Sequence, residues 1–371
     1  MIVTKYNHRS QFEDLDALTH QIRATLESGD YILSPAVEQF EERLAAHTGV
    51  AHAVGVNSGT DAIVLALRAL GIGPGDEVIT VANTFHASVL AITSVGARPV
   101  LVDCTPDSYL MDLDQVDAAV TPRTRALLAV HLFGQALDMD RIAAIADRHS
   151  LAIVEDCAQA IGARWAGRRV GSFGQAGCFS FHPSKNLAAA GDGGALVTDD
   201  AAIARQVRTL RSLGQHQQND HVERGYNSKL DAIQALVLNH KLDQVDKWNS
   251  RRSDIAGEYA RALTGAELTP TPPAGERHVF HLYQVTLAHR DHVLAELTRH
   301  GVEAVVRYPV PVHRQRAFAD LHLPARFPQA QAQAENTLCL PIRPDLTDRE
   351  VDYVVRTLLK AVAPSRRNAA G

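Results

Sequence analysis

Cysteine is scarce: four residues in 371, Cys104, Cys157, Cys178 and Cys339, with no two in a C-x-x-C arrangement. That is too few to staple a chain of this length, and the expectation is reduced thiols in a cytoplasmic protein. No stretch approaches the roughly 18 apolar residues of a membrane-spanning helix. The opening residues, Met1-Ile2-Val3-Thr4-Lys5-Tyr6-Asn7, have neither the apolar core nor the small-residue cleavage site of a secretory signal. Neither sign of charge dominates: 37 Lys+Arg against 42 Asp+Glu leave a net charge of −5. Nucleic acid and anionic membrane are therefore not the expected partners. Internal repeats and low-complexity tracts are also missing. What remains is an ordinary globular composition, 46% hydrophobic and 21% charged, which excludes disorder. The length suits one large domain with a smaller one, and an enzyme is the default expectation.

Between about residues 50 and 210, apolar runs alternate with amphipathic ones. Strands are expected at 51–56, 77–82, 98–102, 125–132 and 151–154, and helices at 61–70, 87–95 and 140–149. The strands are near-continuous apolar runs, the mark of strands buried on both faces. An α/β fold with an open, mostly parallel sheet follows. Beyond about residue 240 the texture changes. A long charged helix is expected over 241–263, then a loop at Thr269-Pro270-Thr271-Pro272-Pro273, a strand over 278–287, and helices over 291–300 and 348–361. The segment Tyr308-Pro309-Val310-Pro311-Val312 cannot be a central strand, because each proline removes a ladder donor. The expected organisation is an N-terminal segment (1–30) packing on a small domain, a large domain (31–245) and a smaller α+β C-terminal domain (246–371). The tail after Pro364 is expected to fray.

Open α/β sheets bind ligands at the carboxyl ends of their strands, and three segments fall there. Asn57-Ser58-Gly59-Thr60, where a strand gives way to a helix, offers free amides, a glycine and two hydroxyls. It reads as a phosphate cradle or as an ordinary helix cap. Glu155-Asp156 puts two carboxylates at the end of an apolar strand, costly unless they meet a partner, whether a ligand or a loop. Phe179-Ser180-Phe181-His182-Pro183-Ser184-Lys185-Asn186, followed by Gly191-Asp192-Gly193-Gly194, places a lysine just past an aromatic strand. Most lysines are simply solvated; one held in an apolar pocket has a nucleophilic amine. A phosphate cradle, a lysine able to form a Schiff base and an acid to face a pyridinium nitrogen together fit one cofactor, pyridoxal 5′-phosphate.

From about residue 31 to 315 the chain resembles the DegT/DnrJ/StrS family of pyridoxal-phosphate-dependent sugar aminotransferases. The resemblance is carried by residues 57–62, Gly73-Pro74-Gly75-Asp76-Glu77-Val78-Ile79, Thr84-Phe85, residues 155–160, residues 181–186, residues 191–194 and Gly225-Tyr226-Asn227-Ser228. It implies the type I, aspartate aminotransferase-like fold. It also implies roles residue by residue: Lys185 as the Schiff-base lysine and proton carrier, and Asp156 as the pyridinium partner. Gln159 would bond the ring's phenolic oxygen and Phe85 would stack on the ring. Ser58, Gly59, Thr60 and Ser180 would hold the phosphate. Asn227 would reach the phosphate from a second subunit, so a homodimer with shared sites is implied. His182, Lys229, Tyr308 and His313 are the candidate substrate contacts. Two positions depart from the family's usual pattern: Lys229, where arginine is frequent, and Arg307, where histidine precedes the tyrosine.

The 18 histidines raise the question of a metal. The tempting pair, His278-x-x-His281, falls on the expected strand, where positions three apart point to opposite faces, so no metal site is expected. The resemblance implies transamination of a nucleotide-linked keto-sugar with L-glutamate as donor. The segment Tyr308-Pro309-Val310-Pro311-Val312-His313-Arg314-Gln315 is similar to that of members that aminate C3 or C2, which favours a dTDP-3-keto-6-deoxyhexose. Alternatives are a 4-keto sugar, a UDP-linked 2-keto or 3-keto sugar, a keto-cyclitol, or a non-catalytic regulatory protein on the same fold.

Overall fold

The structure, a computed structural model, describes residues 1–264 and 276–363. The loop expected at residues 269–273 and the tail after Pro364 lie outside the described residues. Nine strands precede residue 200: β1 His52–Val56, β2 Glu77–Val81, β3 Arg98–Val102, β4 Thr124–Val130, β5 Ala152–Asp156, the short pair β6 Arg164–Trp165 and β7 Arg168–Arg169, β8 Ala176–Ser180 and β9 Gly194–Thr198. Seven of them form one sheet in the order β1-β9-β8-β5-β4-β2-β3. All pairings are parallel except those made by β9, which runs against both neighbours. Six strands therefore end on one edge of the sheet.

The reason these strands read as continuous apolar runs is visible in where successive residues go. In β4, Leu127 and Leu128 enter different cores, as do Ile153 and Val154 of β5. One core lies under the helices Gly59–Ala69, His86–Ser94 and Ala201–Arg211; the other includes the helix Met139–His149. Side chains alternate across a strand, so a sheet covered on both faces needs apolar residues at every position. Near β1 and β9 the second face is covered by the helices Pro35–Thr48 and Ala232–Lys241.

After the helix Val245–Ala262, a separate apolar cluster gathers that helix, Arg290–Arg299, Asp348–Val362 and a two-stranded antiparallel sheet, named β10 Tyr283–Thr286 and β11 Thr337–Leu340 here. Val3 belongs to this cluster and pairs with Val302, whereas the helix Leu15–Ser28 packs on Ala232–Lys241. Two expectations from the sequence need correcting. The charged helix begins at Val245 rather than 241, after a helix over Ala232–Lys241 and a 3-10 turn over Leu242–Gln244. The strand expected over 278–287 is only Tyr283–Thr286. Residues 278–282 are instead tied to a loop: Val279 N–H donates to the Gly134 carbonyl at 2.9 Å and Leu282 N–H to the Phe133 carbonyl at 3.3 Å. His278 and His281 thus share no strand, and no alternation of strand faces separates them. They have separate partners: His278 Nδ1 accepts from Phe280 N–H at 2.8 Å, and His281 Nδ1 pairs with Asn186 Oδ1 at 3.1 Å.

Glu155, one of the paired carboxylates, meets protein on all sides. It is fully buried and accepts from the amides of Gly171 (2.7 Å), Phe173 (2.7 Å) and Gly174 (2.9 Å) and pairs with His131 Nε2 (3.0 Å). Leu137 N–H donates to His131 Nδ1, so His131 Nε2 carries the hydrogen that reaches Glu155. Cys157 lies near this pair, but both carboxylate oxygens are already committed to the loop 171–174. Glu155→Ala would strand the buried Gly171 amide and the His131 imidazole N–H, together with the half-buried amides of Phe173 and Gly174, at about 1–3 kcal/mol each where no water enters. A loss of at least about 3 kcal/mol in urea unfolding is expected, and a loss below 1 kcal/mol would contradict the account.

Candidate active site

A cavity of about 430 Å³ opens at the edge where the six strands end. Its walls come from the turn after β1 (Ser58, Gly59, Thr60), the start of the helix after β2 (Thr84, Phe85), the end of β5 (Asp156, Gln159), the segment after β8 (Ser180, His182, Lys185) and, from the C-terminal part, His281, Arg307 and Tyr308.

At the first wall the helix Gly59–Ala69 begins. Ser58 Oγ accepts from Asp61 N–H at 3.0 Å, the ordinary cap. Ser228 fastens this turn, donating to Asp61 Oδ2 at 2.6 Å and accepting from Asn57 N–H at 3.2 Å. The Gly59 and Thr60 amides, first in the helix, have no intrahelical acceptor and face an anion site by construction. Glycine is required at 59: a Cβ there would stand 2.6 Å from Ser180 Cβ. A Cβ on Gly194 would likewise meet the Ser58 carbonyl carbon at 2.3 Å. The cradle is therefore shaped by missing side chains and has backbone donors and hydroxyls on its lining.

Asp156 is 7% exposed. Its Oδ2 accepts from Ser88 Oγ at 2.7 Å, and its Oδ1 from Ala158 N–H at 3.1 Å. Because Ser88 spends its hydrogen on Asp156, Thr84 Oγ1, 2.8 Å away, donates to Ser88. Gln159 bridges two elements: its Oε1 accepts from Phe133 N–H at 2.6 Å and its Nε2 donates to Tyr308 Oη at 2.9 Å. Phe85 is 42% exposed, and its ring centroid stands 5.4 Å from that of Tyr308.

Lys185 follows a tight turn in which its N–H donates to the His182 carbonyl at 2.8 Å. Its amine is pushed down to about 8, chiefly because the surrounding protein removes it from water; Asp156 pulls the other way, while Arg307 and Lys5 add to the lowering. The next residue, Asn186, anchors it: Nδ2 donates to Asn249 Oδ1 (2.8 Å) and to the Val279 carbonyl (3.1 Å). With both hydrogens used, Asn186 Oδ1 accepts from His281 Nδ1, and burial holds His281 well below the usual imidazole range. Below pH 8 the neutral fraction of Lys185 falls tenfold per unit. Uptake of pyridoxal phosphate by the cofactor-free protein, followed by absorbance, is expected to accelerate with pH up to about 8 and then level off. A rate still climbing tenfold per unit above pH 9 would indicate an ordinary lysine.

Of the residues singled out in the sequence, Ser58, Gly59, Thr60, Phe85, Asp156, Gln159, Ser180, His182, Lys185 and Tyr308 line this cavity. Asn227, Lys229 and His313 do not. Lys229 Nζ donates to Asn227 Oδ1 at 2.6 Å on the surface. His313 packs on Phe327, with ring centroids 4.8 Å apart, and its Nε2 meets Gln331. Within one chain these three are turned to other partners. Ser88 and Lys5 are not singled out by the sequence, and His281 is weighed there only as a metal ligand. Ser88 carried a faint signal, a hydroxyl in the first turn of a helix after Thr84-Phe85; the other two carry none that is local.

Residues 14–359 match the DegT/DnrJ/EryC1/StrS aminotransferase family. The chain is 47% identical over 340 residues, 91% of its length, to 93% of the erythromycin biosynthesis sensory transduction protein EryC1 of Saccharopolyspora erythraea. It is 46% identical over 350 residues, 91% of its length, to 92% of the dTDP-3-amino-3,4,6-trideoxy-alpha-D-glucose transaminase of Streptomyces venezuelae. The crystal structure of S. venezuelae DesV in complex with a ketimine intermediate superposes with a TM-score of 0.94 at 43% identity, covering 98% of this chain and 99% of that one.

Proposed function

Because the chain belongs to the DegT/DnrJ/EryC1/StrS aminotransferase family it is a pyridoxal-phosphate-dependent aminotransferase, and we propose that it moves the amino group of L-glutamate to C3 of a nucleotide-linked keto-sugar, a dTDP-3-keto-6-deoxyhexose. The observation that carries the reading is the meeting in one cavity of a half-buried lysine of lowered basicity, a buried carboxylate and a helix start whose first two amides, Gly59 and Thr60, have no intrahelical acceptor. The cofactor suits that set. Gly59, Thr60 and Ser180 would hold its phosphate, Asp156 would hold the proton of its ring nitrogen, and Phe85 would cover the ring. When bound, it supplies an electron sink for the carbanion left by breaking a Cα–H bond and a carrier for the amino nitrogen.

The protein's part is to bind, orient and move protons. Lys185 Nζ takes the proton from the donor's Cα, a task suited to a base whose pKa is near working pH. Asn186 and His281 fix the turn that carries it. Gln159 and Tyr308, bonded to each other, join the sheet edge to the C-terminal wall, and His182 lies at the entrance. In this reading residues 31–245 hold the cofactor and residues 246–371 close over the substrate. Asn227, exposed, and Lys229, half-buried, both outside the chain's own cavity, would complete the site of a second copy, making the enzyme a homodimer, placed in the cytoplasm.

The test is direct. Purified protein with pyridoxal phosphate and L-glutamate is offered dTDP-linked 3-keto and 4-keto sugars, UDP-linked 3-keto sugars and a keto-cyclitol, with amine product read by mass spectrometry. Conversion of the dTDP-3-keto sugar ahead of the rest is expected. Preference for a 4-keto or UDP-linked acceptor would overturn the substrate assignment. No response to glutamate or any ketone would favour a regulatory role.

A further inference from the structure

Lys5 is 6% exposed, and its Nζ has no hydrogen-bond partner. The backbone around it is firmly held. Val3 N–H donates to the Gly301 carbonyl at 2.8 Å, Lys5 N–H to Glu303 Oε2 at 2.9 Å, and Arg343 Nε to the Thr4 carbonyl at 3.0 Å. The side chain is thus delivered to its place by an anchored strand-like segment. It lies over the Tyr6 ring, 4.9 Å from the centroid, and both residues line the cavity that holds Lys185. Arg307 lines the same cavity, and among the described residues its guanidinium makes a single hydrogen bond, a 3.3 Å contact from Nη1 to the neighbouring Val306 carbonyl.

The charges of this cavity do not balance. Lys5, Lys185 and Arg307 face two carboxylates, Asp156 and the exposed Asp192. Asp156 is already occupied by Ser88 and the Ala158 amide, and the exposed Glu303 meets Lys5 through the backbone amide, which donates to its Oε2. Neither Lys5 nor Arg307 is ion-paired with any carboxylate among the described residues. A buried ammonium left without a hydrogen-bond acceptor costs several kcal/mol, of which contact with an aromatic face returns about 0.5–2. Such a group persists where a ligand completes it.

The geometry points to Lys5, with Arg307 beside it, as a subsite for an oxyanion of a substrate: the carboxylate of the amino donor or the diphosphate of the sugar nucleotide. The inference rests on the aminotransferase reading for its ligands; Lys5 and Arg307 are carried by segments packed on the C-terminal part of the fold, whereas the cradle at Ser58, Gly59 and Thr60 belongs to the turn after β1. A lysine at position 5 would then help decide which donor or acceptor fits.

Calorimetric titration of the cofactor-loaded protein tests this with two unreactive probes, glutarate for the donor and dTDP for the sugar nucleotide. Lys5→Met is expected to weaken one probe by about tenfold or more, the effect of losing a charge-assisted hydrogen bond, while Lys5→Arg stays within about threefold of wild type. Arg307→Gln should weaken the same probe. Loss confined to glutarate assigns the carboxylate; loss confined to dTDP assigns the diphosphate. Both probes binding Lys5→Met within about twofold of wild type would overturn the subsite. So would a fall in pyridoxal phosphate retention, which would make Lys5 a contact of the cofactor's own phosphate. If Lys5→Met does not fold, Lys5→Gln against Lys5→Arg decides by the same criteria. Should wild type bind a probe through Lys5 yet give no amino transfer with glutamate, the functional reading fails and the subsite stands.

Discussion

Lys185→Ala is expected to abolish amino transfer, lowering the turnover of L-glutamate by at least about 10³-fold, and to remove the visible absorbance of the cofactor-loaded protein. Two roles are lost at once. The variant has no amine to attach the cofactor covalently, and no base positioned to take the proton from the donor's Cα; positioned general bases alone contribute about 10²–10⁴-fold. The fold should tolerate the change, because the turn is held by the Lys185 backbone and by Asn186, whose amide is bonded to Asn249 and Val279. Lys185→Arg should not rescue activity, since a guanidinium stays protonated and cannot act as a base. Retention of activity within tenfold of wild type, with an unaltered spectrum, would remove Lys185 from the mechanism.

How far the sequence foretells this site depends on how local each signal is. Strands buried on both faces announce themselves as apolar runs, so β1 to β5 fall within two residues of their expected bounds. The turns after β1, β5 and β8 also carry their meaning locally: a helix start with a glycine where only a hydrogen fits, a carboxylate on an apolar strand, a lysine after a buried aromatic. Together they fit one cofactor, and the resemblance to a family then adds a role for each residue. What fails to show is whatever depends on distant packing. Residues 278–282 have the composition of a strand, yet their amides are claimed by the loop at Phe133 and Gly134. The helix Ala232–Lys241 is buried by the helices Leu15–Ser28 and Pro35–Thr48, and its own sequence was not read as a separate element. Lys5 is the extreme case: a single lysine in a short N-terminal segment, brought beside Lys185 by pairing with residues near 302. Its lack of a partner is a property of the assembled cavity alone. Asn227 and Lys229, by contrast, are legible as motif residues yet sit outside the cavity of their own chain, and the proposed second copy gives them a use.

Asp156→Asn separates charge from shape at the other end of the cavity. Asparagine is nearly isosteric, and its Oδ1 can still accept from Ala158 N–H. Its Nδ2 would face Ser88 Oγ as a donor, and the serine hydroxyl can rotate to accept it and donate onward to Thr84, reversing the present order of that relay. The fold should therefore survive with its hydrogen bonds satisfied. The negative charge is lost, and with it the group that would hold a proton on the cofactor's ring nitrogen, so the electron sink weakens and turnover should fall by about 10³-fold, the scale of a lost preorganised electrostatic contact. The variant also leaves a second trace. Asp156 raises the basicity of Lys185 against the effect of burial, so without it the amine sinks further below about 8, and the plateau in pyridoxal phosphate uptake should move to lower pH. Ser88→Ala, which keeps the charge and removes one of its two hydrogen bonds, should cost about tenfold in turnover. An Asp156→Asn protein that transfers the amino group within threefold of wild type, with the uptake profile unmoved, would show that the carboxylate neither supports the cofactor nor faces Lys185. The order of effects, Asp156→Asn far larger than Ser88→Ala, distinguishes a charge that acts on the reacting group from a hydroxyl that only holds that charge in place.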